Sequence, residues 1–392
     1  KVIVQCLAGK GPDLLDCYDS GQLMAYVRSD IAMDVTDELA ERGVDMSEIW
    51  PCAAPLYAYQ GRVYGHPGNA NAVAILYNER LFDEAGLPYP AGEWTWDEFI
   101  DVAQKLTTYD ERGRPTQFGF IGPWDGTLYQ SVIKQWGGSM YTPEGTRCVL
   151  DSSETIAAME FMRDLIYEHK VMPTPGQEAS MATAGGWSPG VLSLYGAEKG
   201  AMAVAGRWWL MLFRKEDYAH LRLGAAPLPR GPSDMITGGG RATLVNKHGK
   251  HIEGALEFLE FLHSEEFNEI INRWADALPP VRKYAYVDGF LHNREYPEED
   301  FHEVWRIAGE KAIPWDISPY VNGTTANIIM LKQTDLVRFG QKSAADAMQT
   351  AARLINEAIV EQLKLDRPLR KQYYAAIEQG ALSAWDNEAE AP

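Results

Sequence analysis

Ala72-Val73-Ala74-Ile75-Leu76-Tyr77, continuing into Asn78-Glu79-Arg80-Leu81-Phe82-Asp83-Glu84-Ala85-Gly86-Leu87-Pro88 and then Trp94-Thr95-Trp96-Asp97-Glu98-Phe99, decides what this chain can fold into. The first six residues are apolar and strand-sized, and the turn-rich Val63-Tyr64-Gly65-His66-Pro67-Gly68 stands before them. Thr95-Trp96-Asp97-Glu98 is a capping box, in which the Thr95 hydroxyl accepts from the N3 amide and Glu98 reaches back to the N-cap amide. Trp96, Phe99, Ile100, Ala103 and Leu106 then recur at helical spacing, giving a helix with one buried face.

The alternation continues in both directions. Val2-Ile3-Val4 is apolar, and after the turn Gly9-Lys10-Gly11-Pro12-Asp13 a second short run opens at Leu14-Leu15. Helices are predicted from about Ser153 through Ile166 and from Ile252 to Leu262. Another runs from Phe267 to Trp274, with Ser264 as the break and cap, and a last one from Ser343, with Asp346 at N3, to Ile359. Between them lie the apolar runs Phe118–Ile121, Ala201–Val204, Leu223–Ala226 and Ala242–Val245. Strands alternating with helices predict an α/β architecture. There is no internal repeat, and after Leu365 the pattern weakens toward an acidic, frayed tail at Asn387 to Pro392.

A chain of 392 residues exceeds one ordinary core, so two or three domains are expected. The 55 acidic against 36 basic side chains, net −19, repel phosphate backbones and argue against nucleic acid as a partner. No run approaches the roughly 18 apolar residues of a membrane helix. Cys6, Cys17, Cys52 and Cys148 lack metal spacing; buried thiols are expected, with one disulfide among the first three left open. His248 and His251 flank Gly249 among lysines, which describes an exposed turn and no metal face. There is no H-E-x-x-H, G-x-S-x-G or phosphate-binding loop, and Gly238-Gly239-Gly240 lacks dinucleotide spacing, so a close backbone approach or a turn is expected there. No cofactor and no metal are expected.

Aromatic side chains are abundant, with 12 Trp, 19 Tyr and 12 Phe. Several stand beside glycine, proline or acid, as in Pro123-Trp124-Asp125-Gly126, Gly186-Trp187-Ser188, Gly206-Arg207-Trp208-Trp209 and Pro314-Trp315-Asp316. Such rings suit the C–H faces of a sugar, while Asp, Asn and Arg take its hydroxyls. For any one Trp, burial in the core is an equal alternative.

Taken in order, several segments resemble the bacterial extracellular solute-binding proteins of the sugar-binding class, which includes the maltodextrin-binding proteins of ABC importers. Ala8-Gly9-Lys10-Gly11-Pro12-Asp13-Leu14-Leu15 is similar to that family's A-x-G-x-x-P-D and apolar strand. Leu76 to Pro88 with Trp94 to Phe99 resembles its Y-N-x-x-x-F-x-x-A-G-L and T-W-D-E-F, and Gly113 with Phe118-Gly119-Phe120 continues the pattern. Gly200 to Trp208 resembles the segment carrying a cleft-facing Trp. Gly238-Gly239-Gly240, and the helices running from Ile252 to Ala277-Leu278-Pro279-Pro280, resemble the crossover back to the first lobe. The family normally has a first strand and helix before the A-x-G-x-x-P-D segment, whereas Lys1 stands only a few residues ahead of it. A first lobe without them is therefore expected.

The resemblance implies a two-lobe periplasmic-binding-protein fold, with an interlobe cleft and hinge strands. Residues 1–69 and 242–286 would form the N-terminal lobe, 70–241 and 287–392 the C-terminal lobe. It further implies that Tyr18, Asp19 and Ser20 project from the first lobe, with Asn69 and Asn71 at one crossover, and Gly239 and Arg241 at the second. Trp124 and Asp125 would follow a strand, Arg207 would precede the stacking Trp208, and Trp315 and Tyr320 would complete the ligand set. The function implied is capture of a sugar or oligosaccharide by lobe closure, without catalysis. A monomer would deliver the ligand to ABC permease subunits from a periplasmic or extracellular location, with a lipid anchor ahead of Lys1 left open. The alternatives are a carbohydrate-active hydrolase using a carboxylate pair, and the same fold holding a polyol, phosphosugar or peptide-like solute.

Overall fold

The computed structural model describes residues 1–181 and 190–389, and side chains of the last helix through residue 379; Trp187 therefore lies outside the described residues. A helix, Val2–Leu7, covers the apolar opening run, and eleven strands follow among the described residues. They are β1 (Leu14–Cys17), β2 (Ala58–Tyr59), β3 (Arg62–Val63), β4 (Gly65–Asn71), β5 (Val73–Asn78), β6 (Thr108–Tyr109), β7 (Pro115–Ile121), β8 (Gly200–Gly206), β9 (Leu223–Ala226), β10 (Ile236–Val245) and β11 (Ala312–Pro314). They form two main sheets. One is four-stranded, built on β10 with β1, β4 and β11; the other is five-stranded in the order β6-β7-β8-β5-β9.

The second sheet is a mixed one. β8 pairs antiparallel with β5 and parallel with β7. All six residues of β5 and all seven of β8 are buried, because helices cover both faces. The helix Trp96–Leu106 packs on one side through Trp96, Phe99, Ile100, Ala103 and Leu106, and its capping box is formed. In that box Thr95 N donates to Glu98 Oε2 at 2.7 Å and Glu98 N to Thr95 Oγ1 at 3.2 Å. Ser152, Ser264 and Ser343 cap the helices that the sequence places after them.

Two crossovers join the sheets. β4 belongs to the first and β5 to the second, with only Ala72 between them; β9 and β10 make the return. β10 runs so close to β4 that glycine is required. A Cβ on Gly238 would lie 2.5 Å from the Asn71 carbonyl oxygen, and one on Gly240 2.3 Å from that of Asn69. The glycine run is thus a close backbone approach, as its sequence implies. The late helices Gly323–Arg338 and Ala344–Leu365 pack on each other and on Ser153–Tyr167. All four cysteines are free, buried thiols, and burial pushes Cys17, Cys52 and Cys148 up to about 12. His251 pairs with Asp13 and His248 with the Asp30 carbonyl, on an exposed turn.

Behind the sheets lies a buried ionic network. Arg207, 1% exposed, donates to the carbonyls of Asn272 at 2.9 Å and Ala277 at 3.0 Å, and its Nε donates to His302 Nδ1 at 3.2 Å. Its guanidinium lies 4.4 Å from the Phe290 ring centroid. His302 Nε2 is 3.2 Å from Glu299, which holds Arg214 at 2.6 Å. Burial works against every charge here, and the carbonyls and Glu299 offset it. The network ties the end of β8 to the C-terminus of the helix Glu265–Trp274, where the dipole is negative and the Asn272 carbonyl, already capped by Ala275 N, accepts from Arg207 as well.

Two predictions follow from this interior. Arg207→Met should lower unfolding free energy by about 3 kcal/mol, because it strands the buried Ala277 carbonyl and His302 Nδ1 and weakens the tie to Asn272, and urea denaturation would measure it. The second concerns pH. Burial depresses His66 to about 3 and His302 to about 4, so the folded protein keeps both neutral while the unfolded chain protonates near pH 6.5. Their stabilising contribution is complete above that value and is lost as pH falls toward the depressed values. The urea midpoint should therefore hold from pH 7.5 to near 6.5 and then drop toward pH 5, and a flat profile would contradict the assignment.

Candidate functional site

Asp19 ends the loop after β1 and caps the helix Ser20–Arg28, its Oδ1 accepting from Gln22 N at 2.8 Å. Asp125 does the same after β7, capping Gly126–Gln135 through Thr127 N at 2.8 Å. Asn322 caps Gly323–Arg338 through Thr325 N. All three helix starts face one cavity of about 540 Å³, within the range of small-ligand sites.

Tyr18, Asp19, Ser20 and Gly21 line it from the first lobe. Asp125 to Thr127, Tyr129, Gln130, Met140 and Tyr141 face them, together with Trp315 to Ser318 and Thr324, Asn327 and Leu331 from the late helix. Tyr18 is 54% exposed, an aromatic ring with no other use in the fold. Trp315 follows β11 beside the second crossover: a Cβ built on Gly239 would sit 4.0 Å from its ring. Burial pushes the Tyr129 and Tyr141 phenols well above their usual range, so both remain neutral. Asp316 is held by Lys134 Nζ at 2.7 Å and accepts from Met140 N at 2.7 Å, which spends its charge within the wall.

The balance is acidic. The lining holds Asp19, Asp125 and Asp316, and no Lys, Arg or His among the described residues. Asp19 and Asp125 each use one oxygen for a helix cap. What the site offers is aromatic surface, hydroxyls, amides and carboxylates, the complement of a ligand rich in hydroxyl donors. Among the described residues no group of His, Cys, Asp and Glu is placed to hold a metal ion.

Of the residues anticipated from sequence, Tyr18, Asp19, Ser20, Asp125 and Trp315 come together in this cleft. Asn69, Asn71, Gly239 and Arg241 are at the crossover just behind it. Asn71 Oδ1 accepts from Gly239 N and Asn69 Oδ1 from Arg241 N, both at 3.0 Å, so these amides brace the two strands. The Arg241 guanidinium lies over Gly68, with its Nε buried and unpartnered. The other four expected contacts are placed elsewhere. Arg207 is the buried crosslink described above, with its donors turned to backbone carbonyls. Trp208 is half-buried and lies over Gly206, where a Cβ would fall 1.8 Å from its ring; it is not in the lining. Trp124 is 6% exposed and donates Nε1–H to the Thr334 carbonyl at 3.0 Å, pinning the late helix. Tyr320 is 5% exposed and packs edge-on against Tyr373, its hydroxyl donating to the Gln372 carbonyl.

Met24, Gln130, Tyr141, Asp316, Thr324 and Asn327 escaped sequence reading. Asp316 and Thr324 carried some signal, the first beside Trp315 and the second in the N-cap string Asn322-Gly323-Thr324-Thr325. Gln130 and Asn327 are polar residues inside helices, indistinguishable from solvated ones until packing aims them.

Comparison with known proteins is consistent along the chain. The family model described as "Bacterial extracellular solute-binding protein" matches residues 1–269. An arabinooligosaccharide-binding protein of Bacillus subtilis (strain 168) is 27% identical over 275 residues, covering 68% of this chain and 59% of that protein. This chain thus spans under two thirds of that relative's length. The sn-glycerol-3-phosphate-binding periplasmic protein UgpB of Escherichia coli O1:K1 is 23% identical over 375 residues, 90% of this chain and 80% of the relative. Among solved structures, an ABC substrate-binding protein from Listeria monocytogenes in complex with cycloalternan superposes with a TM-score of 0.78 at 21% identity. That superposition covers 91% of this chain and 87% of the other, and it establishes a shared two-lobe fold. With two sheets joined by crossover strands, a cleft between them and a family match over most of its length, the chain belongs to the bacterial extracellular solute-binding proteins.

Proposed function

We propose that this protein binds an uncharged sugar or oligosaccharide in the cleft between its lobes and delivers it to the permease of an ABC importer. It would work as a monomer, in the periplasm or outside the cell. Residues 1–69 with 242–286, and 70–241 with 287–392, are the lobes in this reading. The observation that carries it is the lining itself: Tyr18 and Trp315 as ring surfaces, hydroxyl and amide groups between them, and no cationic side chain among the described residues. Relatives are named for binding either arabinooligosaccharides or sn-glycerol-3-phosphate, and the acidic, aromatic lining supports the first of these. A phosphate would enter beside Asp19 and Asp125 with three helix N-termini but no Lys or Arg of the described lining to pair it, whereas hydroxyl donors complement those carboxylates directly. Nothing in the lining singles out a hydrolytic pair: Asp19 and Asp125 each cap a helix with one oxygen, and Asp316 is paired with Lys134.

Binding would proceed by population shift: a ligand touching both walls favours the closed arrangement by its extra contacts there. A thermal-shift screen should show arabinooligosaccharides or maltodextrins raising the melting temperature while sn-glycerol-3-phosphate does not. A saturating ligand at about 100 times its Kd would add about 2.7 kcal/mol. Stabilisation by glycerol phosphate alone would refute the neutral-ligand reading. With a sugar identified, Trp315→Ala should weaken binding roughly thirtyfold, about 2 kcal/mol, by calorimetry. Trp208→Ala should leave affinity near that of the parent, since its ring lies outside the lining.

A further inference from the structure

We infer that Gly21 and Gly323 are positioning residues for ligand capture: their backbone contact across the cleft floor permits closure and thereby sets affinity. The inference rests on the two-lobe binding reading, but the contact itself is geometric.

Gly21 is the second residue of Ser20–Arg28, and Gly323 the first of Gly323–Arg338. These helices belong to different lobes. The chain just after the first is tied to the sheet of β1 and β10, through Met33 N to the Val245 carbonyl at 2.9 Å and Lys247 N to that of Ile31 at 2.8 Å. The segment leading into the second is tied to the other lobe: Asp316 to Lys134 and Met140, and Ser318 Oγ to the Gly145 carbonyl at 2.6 Å.

At the meeting point a side chain on Gly21 has no room without a shift, and one on Gly323 would be pressed tightly against backbone. A Cβ on Gly21 would stand 2.9 Å from Gly323 Cα, and one on Gly323 would stand 3.1 Å from Gly21 Cα. Backbone is the obstacle in both directions, so no rotamer change relieves it. Neither glycine has the positive φ that would otherwise account for it, and glycine is a poor helix residue compared with alanine. The approach of the two chains is therefore what the glycines serve.

Electrostatics agree. Two helix N-termini carry like partial charges and repel when brought together. Asp19 Oδ1 lies between them, 3.0 Å from the Cβ position of Gly21 and 3.6 Å from that of Gly323, and supplies the compensating negative charge. Arg28 adds a hydrogen bond to the Pro319 carbonyl across the same junction. Both glycines line the cleft, so the contact forms its floor.

A single methyl group at either position should hold the lobes apart. Apparent affinity falls in proportion to the closed fraction, so depleting that fraction tenfold weakens binding tenfold. The test needs no ligand. Nitroxide labels on Glu160→Cys and Glu257→Cys, one exposed site on each lobe, report the interlobe distance in the full chain by pulsed dipolar spectroscopy; the native cysteines are buried. The unsubstituted pair should show a component at the separation seen in this structure. Gly21→Ala and Gly323→Ala should each deplete it at least tenfold. Gly254→Ala, whose Cβ meets nothing within 4 Å, should not. Urea midpoints of both variants should stay at or above the parent's, since alanine favours these helices. If either variant keeps the component, or the parent lacks it, the inference is overturned. Failure to find a sugar ligand would count against the binding reading and leave this result standing.

Discussion

The approach of β10 to β4 is the constraint on which the rest of this molecule depends. β10 is ten residues long. Its first half pairs with β11 and its second half with β1, while β4 runs along it from Gly239 to Leu244. Because β4 passes into β5 after a single residue, whatever fixes β4 against β10 also fixes where the second sheet begins. Asn69 and Asn71 supply part of that fixing by accepting backbone N–H groups of β10, and Gly238 and Gly240 allow the distance. A side chain at either glycine would displace the strands, and with them Trp315 and the cleft floor.

The polar groups divide by location. Away from the cleft, Arg207, His302, Glu299 and Arg214 are buried and linked to one another, and Arg207 holds the end of β8 against the helix Glu265–Trp274. On the cleft side Asp19 and Asp125 line the cavity and spend one oxygen each on helix caps. Buried charge that is fully paired fixes geometry, and carboxylates with remaining acceptor capacity recognise donors. The same residue types thus serve architecture in one place and recognition in the other.

Much of the fold was legible from periodicity and capping. The helix from Trp96, the break at Ser264 and the start at Ser343 follow from side-chain oxygens placed before apolar repeats, interactions confined to one turn of chain. Tyr18, Asp19 and Asp125 were named from the family resemblance, and the structure places them in the cavity lining. Arg207 and Trp208 were misplaced because neighbours in sequence share a context but not a direction. At the end of β8 one side chain turns inward to the helix Glu265–Trp274, while the other folds over Gly206. Trp124 and Tyr320 show the same ambiguity, since a ring beside a glycine or proline packs equally well against a helix.

By itself, the sequence determined the alternation of strands and helices, their caps, the family, and an acidic character that argues against nucleic acid. These depend on local hydrogen bonding and on composition, which need no distant partner. Tertiary structure alone decided which aromatics are free for a ligand, that Gln130, Asp316 and Asn327 share a wall with Tyr18, and that Gly21 meets Gly323. Those facts depend on the packing of segments about three hundred residues apart, where a fraction of an ångström separates contact from clash.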